Sequence, residues 1–210
     1  MLDYIQNLNN RYATKQFDPS YKLSKEQENI LDQTLDLAPS SFGLQPYKVI
    51  KVVNTQIRQK LKEASWDQTQ ITDASVLYVL CARKDINQTM IKEYVELTAK
   101  TRGVEMESLS GYEKMMNGFI QALPEDQKTE WAKKQVYIAL GFLLDAAAQN
   151  GLDACPLEGF DAKAYTDILE LEEKNLVVSV VCAVGVRSKE DMYATLPKVR
   201  LGTEKLIINM

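Results

Sequence analysis

Apolar side chains recur at helical spacing in the first part of the chain. Leu2, Ile5 and Leu8 would share one face of a short helix. The segment SKEQ at 24–27 is a capping box, in which each of two side chains bonds the other residue's backbone N–H, so it predicts the start of a second helix. Pro39 follows that helical pattern and predicts its end. We therefore expect the chain to begin with two helices.

Four later stretches are typical of strands because they are short and nearly all apolar. They cover residues 47–54, 76–83, 153–157 and 176–186. Strands that are apolar on both sides suit a sheet with helices on both faces. Helical patterns separate these strands, so we predict a single α+β domain over residues 1–210, with a mixed sheet flanked by helices.

The segment 86–123 is charged, contains several methionines and has helical periodicity. We expect breaks at Gly103, Gly111, Gly118 and Pro124. The pattern predicts a mobile helical excursion from the domain.

The segment 125–150 is the longest predicted helix, and its part VYIALGFLLDAAA is apolar on nearly every face before Gly151 ends it. One chain of this size can hardly cover such a helix, so we expect it in the core or at a subunit interface. The chain then ends on the apolar stretch KLIINM at 205–210. We expect this tail to pair with a sheet edge, either of the same chain or of a partner chain.

Composition narrows the chemistry, chiefly because the 210 residues include no histidine. Ser-His and Cys-His catalysis and histidine-based metal sites are thereby excluded. A formal net charge of -4 and a pI of about 5.1 argue against binding to nucleic acid. We expect a cytoplasmic protein without a membrane segment, because the sequence shows neither signal-peptide features nor a run of about 18 apolar residues. The three cysteines are expected to be reduced core thiols.

Two pairs of basic residues near the ends of the chain are candidates for binding an anion. Arg11 and Lys15 lie one turn apart if their stretch is helical, and Lys198 and Arg200 would point the same way from an extended strand. Arginine suits phosphate because its planar fork makes two parallel hydrogen bonds. Either pair alone would more often be solvated surface. Neither a GxGxxG motif nor a P-loop motif occurs, so only cationic anchoring of a nucleotide remains open.

Two loops carry further candidates. APSSFGLQPY at 38–47 brackets hydroxyls, a glycine and an amide with prolines, which suits ligand binding but equally an ordinary turn. PLEGFD at 156–161 joins a strand to a helix capped by Asp161, where backbone N–H groups are free to donate. Gly159 would permit an unusual backbone angle there. Glu158 has two interpretations, a general base or a solvated side chain.

In this order and at these separations, the stretches resemble the nitroreductase family of FMN-dependent oxidoreductases. The resemblance spans nearly the whole chain and depends on five segments together, since none is diagnostic alone. They are RYATKQFD (11–18), APSSFGLQPY (38–47), QITDAS (70–75), KQVYIALGFLLDAAAQNGLDACPLEGFD (134–161) and ATLPKVRL (194–201).

The resemblance implies a nitroreductase-like α+β fold in an intertwined homodimer, with the long helix in the interface and the C-terminal strands exchanged. Two FMN molecules would bind where the subunits meet. The implied cofactor-binding residues are Arg11, Tyr12, Ala13, Lys15, Pro39, Ser40, Ser41, Gly43, Asp67, Gln70, Leu157, Glu158, Gly159, Lys198 and Arg200.

Roles follow from the same resemblance. The basic pair near the start would reach the flavin ring edge or the phosphate, and the pair near the end chiefly the phosphate. Residues 39–41 would come from the other subunit, the backbone at 158–159 would offer an N–H to flavin N5, and Gln70 would face the pyrimidine side. Met116 would border the substrate channel, although core filling explains a methionine there equally well.

The sequence departs from the common family pattern at three places. Tyr12 and Ala13 stand where relatives often carry a hydroxyl residue, Gly43 replaces a frequent asparagine, and Asp67 occupies another position often filled by asparagine. A carboxylate at Asp67 near the ring would disfavour anionic reduced FMN and lower its potential.

The implied activity is a ping-pong transfer of two electrons from NADH or NADPH, through FMN, to a nitroaromatic, a quinone or a free flavin. Two alternatives stay open. The first is a flavin-binding dimer without turnover, and the second is a flavin enzyme for a dedicated metabolite. The sequence decides neither the acceptor nor the choice between NADH and NADPH.

Overall fold

A computed structural model of the chain describes residues 2–210, with side chains from residue 3 onward. Met1, which the single-domain prediction includes, and the side chain of Leu2 lie outside the described residues. The helices are α1 (Leu2–Asn10), α2 (Lys25–Leu37), α3 (Thr55–Glu63), α4 (Gln70–Asp73), α5 (Gln88–Arg102), α6 (Ser110–Ala122), α7 (Glu125–Gln149), α8 (Ala162–Leu169) and α9 (Thr203–Leu206). The strands are β1 (Tyr47–Val52), β2 (Val76–Arg83), β3 (Asp153–Leu157) and β4 (Leu176–Gly185).

The four strands form one antiparallel sheet in the order β1-β2-β4-β3. The central strands β2 and β4 are buried along almost their whole length. The α+β class is thus confirmed, but the expected mixed sheet is corrected. Within residues 2–210, parallel pairing is limited to one isolated bridge between Ala13 and Ala154.

Alternate residues of the central strands divide the core between the two faces of the sheet, because successive side chains of a strand point in opposite directions. Tyr78 and Leu80 pack in a core that α2, α5, α6 and α7 complete. Leu77 and Val79 pack in a second core, completed by α3, α4 and α8. Helices therefore cover both faces, as the apolar strands predict.

Several local signals in the sequence act as predicted. Ser24 forms the capping box of α2, Asp161 caps α8 through its carboxylate, and Gly103 ends α5 in a left-handed conformation. Contrary to the prediction, Gly111 and Gly118 do not break the helix, since both lie inside α6. A single glycine costs a helix only about 1 kcal/mol, and burial of the apolar face of α6 offsets that cost.

The segment 86–123 is helical, as predicted, and its helices contribute to the main core. Met90 and Ile91 of α5 and Met116 and Ile120 of α6 are buried there. The mobility of this segment stays a prediction.

The long helix α7 has apolar residues on more than its buried face. Tyr137, Ile138 and Phe142 are 42%, 40% and 46% exposed. The tail after α9 is also apolar and exposed, and residues 207–210 form no strand with the rest of the described chain. Pairing of the tail with a partner chain stays a prediction. Within residues 2–210, no helix is both long and apolar enough to cross a membrane.

Candidate functional site

A cavity of about 810 Å³ lies where the segment after α1 meets the segment before α9. Five of the side chains that line it are cationic: Arg11, Lys15, Arg187, Lys198 and Arg200. None of the described lining residues is acidic. Both predicted basic pairs therefore meet in one place, although nearly the whole chain separates them in sequence. Tyr12 and Ala13 line the same cavity.

The first basic pair is not on a helix. α1 ends at Asn10, and the chain beyond it runs alongside β3, where Ala13 bridges Ala154. In such a chain, residues an even number apart share a side, so Arg11 and Lys15 both reach the cavity without a helical turn. The structure replaces the helix considered for this stretch with an extended segment.

Asp191, a buried carboxylate, fixes this segment. It accepts hydrogen bonds from the backbone N–H of Lys15 (2.8 Å) and Gln16 (3.1 Å), and from the hydroxyl of Tyr12 (2.8 Å). Burial alone would raise the pKa of Asp191, but these bonds and one from the N–H of Tyr193 hold it below its ordinary value. The carboxylate therefore stays charged and ties the start of the chain to its last segment.

Arg187 forms a second link across the cavity wall. Its guanidinium donates to Asp153 at the start of β3, and its backbone N–H donates to the same carboxylate at 2.8 Å. The guanidinium carbon also lies 4.6 Å from the ring centroid of Tyr12. Because Asp153 neutralises Arg187, this residue contributes more to the shape of the cavity than to its free charge.

The ammonium group of Lys198 lies in a position that disfavours its positive charge. Its Nζ donates to the backbone oxygens of Leu8 (2.7 Å) and Arg11. Burial and then repulsion from Arg11 and Arg200 lower the pKa of Lys198. An anion bound between these cations would offset the repulsion. The donor set therefore fits a phosphate group.

Sequence reasoning missed both Arg187 and Asp191. Arg187 has a usable signal, since it is a cation placed directly after the predicted fourth strand. Asp191 has none, because its partners in the segment 12–16 lie about 175 positions away in sequence.

A second group of predicted residues lies at the far end of β3. Leu157 is buried at the end of that strand, and Glu158 accepts a hydrogen bond from the hydroxyl of Tyr137. Within the described chain, the backbone N–H groups of Glu158 and Gly159 donate no hydrogen bond. They are therefore free to bind a ligand, as predicted for this junction.

Gly159 lies close to the Trp66 ring and does not have an unusual backbone angle. Its φ lies outside the left-handed range, and a Cβ added there would come within 2.6 Å of the Trp66 ring. Gln68 donates from Nε2 to the oxygen of Gly159 at 2.8 Å, so the segment that carries Asp67 is held against this glycine. Gln70 begins α4 a short way on and is buried.

Arg58 supports that segment from inside. This buried side chain donates from Nε to the oxygen of Ile71 and from Nη2 to the oxygen of Ala74, both at 2.6 Å. Its guanidinium thus binds the carbonyl groups that α4 would otherwise leave without partners. The position of Gln70 therefore depends on Arg58.

The loop with Pro39, Ser40, Ser41 and Gly43 lies apart from the cationic cavity. The N–H of Ser41 donates to the side chain of Gln135 of α7 at 2.9 Å. The hydroxyl of Ser40 accepts a hydrogen bond from the backbone N–H five residues later. Gly43 has a φ of +77°. Since none of these described residues lines the cationic cavity, one chain does not bring all the predicted cofactor residues together.

The placement of Met116 is corrected by the structure. It is 0% exposed and belongs to the main core, whereas its neighbour Met115 is 54% exposed. The interpretation of Met116 as core filling therefore fits, and a position on a channel does not.

The chain is similar to known proteins over most of its length. The model of the nitroreductase family matches residues 8–186. YfkO of Bacillus subtilis, a predicted NAD(P)H nitroreductase, is 38% identical over an alignment of 210 positions, which covers 95% of this chain and 93% of YfkO.

Solved structures show the same fold. The predicted nitroreductase YdfN of Bacillus subtilis has a TM-score of 0.89 at 22% identity, with 100% of both chains covered. A predicted nitroreductase of Exiguobacterium sibiricum, solved in complex with FMN, has a TM-score of 0.83 at 18% identity, with 99% of this chain and 97% of that chain covered.

Proposed function

The chain belongs to the nitroreductase family, a family of oxidoreductases, and from this premise we propose that it uses FMN to pass electrons from NADH or NADPH to an electron-poor acceptor. Nitroaromatics, quinones and free flavins are the acceptors that we expect. The proposal includes a homodimer with two identical sites.

The observation that carries the proposal is the convergence of both chain ends on the cationic cavity. Arg11 and Lys15 from the start of the chain would join Lys198 and Arg200 from its end around the phosphate of FMN. Lys198 would gain most, because burial and then the like charges of Arg11 and Arg200 lower its pKa, and a bound anion would offset that repulsion. These residues fit a flavin mononucleotide without any glycine-rich phosphate loop.

The segment after β3 would hold the ring end of the cofactor. β3 leads from the bridge at Ala154 to Glu158, a separation of about 13 Å at ~3.3 Å per residue. An FMN molecule extended along this strand would bring its ring to the free N–H groups of Glu158 and Gly159. A donated N–H at flavin N5 would orient the ring and stabilise charge that develops there.

When bound, FMN would supply the two-electron chemistry that a chain without histidine lacks. The protein's part is then to bind and orient. The cations hold the phosphate, the backbone after β3 fixes the ring, and one open face serves both substrates. NADH or NADPH would have to leave that face before the acceptor enters, which predicts ping-pong kinetics.

A second chain would complete the site. Residues 39–43 do not line the cationic cavity of their own chain, so their contact with FMN would come from a partner. The exposed apolar side chains of α7, Tyr137, Ile138 and Phe142, would be covered in the dimer. Within the described residues, positions 176–178 and 180 of β4 pair only with β2, which leaves an edge where the partner's tail would add a strand.

Absorbance spectroscopy tests the activity directly. We expect the purified protein to bind FMN, to lose its flavin absorbance anaerobically with NADH or NADPH, and to recover it with 1,4-benzoquinone. Colour without bleaching would favour the flavin-binding dimer that does not turn over. Failure to bind added FMN at all would overturn the proposal.

The dimer is tested separately by sedimentation at several protein concentrations. We expect twice the chain mass of 23.8 kDa. A monomer that still bound FMN with the loop at 39–43 intact would contradict a site shared between chains.

A further inference from the structure

Trp66 has an unusual position for a large apolar side chain. It is 72% exposed, whereas Trp131, the other tryptophan, is 9% exposed in the core. Trp66 and Asp67 also have φ values of 53° and 57°, a left-handed conformation that side chains other than glycine rarely adopt. Two such residues in succession, with an indole in solvent, cost free energy that the fold must offset.

Specific hydrogen bonds keep this turn in place. The N–H of Asp67 donates to the oxygen of Lys62 at 3.1 Å, and the N–H of Gln68 donates to the oxygen of Ser65 at 3.1 Å. The side chain of Gln68 then bonds the oxygen of Gly159. These bonds fix the backbone of the turn and therefore the point from which the Trp66 side chain projects.

The indole lies directly against Gly159. A Cβ at that position would come within 2.6 Å of Trp66 Cζ3 and 3.1 Å of Cε3, so a larger residue there would have to displace the ring. The free N–H groups of Glu158 and Gly159 are at the same place. An exposed aromatic face thus stands beside the backbone that would hold the ring of FMN.

On the premise of the proposed function, we propose that Trp66 is a specificity-determining residue that forms one wall of the entrance to the flavin ring and stacks on planar, electron-poor acceptors. The electron-rich face of indole attracts an electron-poor ring in an offset stack. A quinone or nitroaromatic ring meets that description. The dihydronicotinamide ring of NADH does not, so Trp66 favours the acceptor over the donor.

The test compares Trp66→Ala and Trp66→Phe in the FMN-loaded protein, with 1,4-benzoquinone as the planar acceptor. Ferricyanide, an octahedral ion that cannot stack, is the matched acceptor. We expect Trp66→Ala to raise the KM for benzoquinone roughly fivefold, with the KM for ferricyanide and for NADH unchanged. Trp66→Phe keeps an aromatic face and should recover most of the loss.

Binding without turnover provides a second readout. We expect Trp66→Ala to weaken the binding of 4-nitrobenzoate to the oxidised protein by a similar factor, measured from the change in flavin absorbance with no donor present. Val53→Ala, which trims a 66% exposed apolar residue directly after β1, is the matched control and should have no effect.

The outcomes separate this inference from the proposed function. If FMN binds and bleaches normally but Trp66→Ala leaves both benzoquinone KM and 4-nitrobenzoate binding unchanged, the role of Trp66 is refuted and the oxidoreductase stands. Equal loss with benzoquinone and ferricyanide would also refute it, because general damage to the site would then be the cause. A protein that binds no FMN would overturn both.

Discussion

The cationic cavity and the loop at 39–43 hold two groups of predicted cofactor residues, but the structure builds them differently. The cavity joins both ends of one chain, and the buried carboxylates Asp153 and Asp191 fix its walls. The loop packs against α5, α6 and α7 through neutral contacts, and none of its described residues lines the cavity. One chain therefore brings the cationic residues together, whereas under the proposed function the loop would meet them only through a second chain.

Because the cavity and the loop at 39–43 are built separately, a substitution in one should leave the other unaffected. Within the described residues, no hydrogen bond or ion pair joins the cavity to the loop. Changes at sites without shared partners usually have independent effects on stability. We therefore expect variants of the cavity to act on anion binding and variants of the loop to act on the fold around it.

The largest effect is expected for the double variant Lys198→Met and Arg200→Met. Hydrogen bonds to charged groups are worth about 1.5–3 kcal/mol each, so loss of both should weaken FMN binding at least ~100-fold. Titration of the protein into FMN, followed by flavin fluorescence, measures the dissociation constant.

The matched control is the double variant Lys100→Met and Lys163→Met, which removes the same charge from exposed helix positions. We expect nearly unchanged FMN binding there. Equal losses in the two double variants would mean that net charge, and not the cavity, attracts the cofactor.

The next largest effect is expected for Asp191→Asn. The change places an N–H₂ group among the N–H donors of Lys15, Gln16 and Tyr193 and the hydroxyl of Tyr12, so it should cost about 2 kcal/mol of unfolding free energy. Urea denaturation at neutral pH measures it. FMN binding should weaken too, because the segment with Lys15 loses its anchor.

The pH dependence of that loss gives the check. The folded state holds the pKa of Asp191 below its ordinary value, so this carboxylate stabilises the protein above the unfolded pKa of about 4. Its contribution is lost as pH falls through the folded pKa. The difference between Asp191→Asn and the unaltered protein should therefore shrink in acid, and a constant difference would contradict the assigned role.

Much of the fold can be predicted because its signals are local. The observed bounds of β2 and β3 are the same as the bounds predicted from the sequence. Each strand is a short apolar run between polar residues or turns. The capping residues Ser24 and Asp161 are equally local. Gly111 marks the limit of prediction from local signals, because tertiary packing keeps α6 helical in spite of its glycines.

The site is less accessible to sequence reasoning. The basic pairs can be named from their motifs, but nothing in the sequence shows that Asp191 binds the backbone near Lys15 from across the whole chain. Nor does it show that the Trp66 ring lies against Gly159. Both are consequences of long-range packing, which periodicity and capping do not encode.

The smallest effect is expected in the loop, for Gly43→Ala. A φ of +77° disfavours any side chain, and the new Cβ would lie 2.5 Å from the hydroxyl of Tyr94, so we expect a loss of about 1 kcal/mol of unfolding free energy. In a Tyr94→Phe background the hydroxyl is absent and the loss from Gly43→Ala should be smaller, although the backbone strain remains. A double-mutant cycle in urea measures this coupling.

Anion binding in the cationic cavity, followed with inorganic phosphate, should stay unchanged in all three variants. A large change there would show that the loop and the cavity are coupled within one chain and would remove the distinction between them.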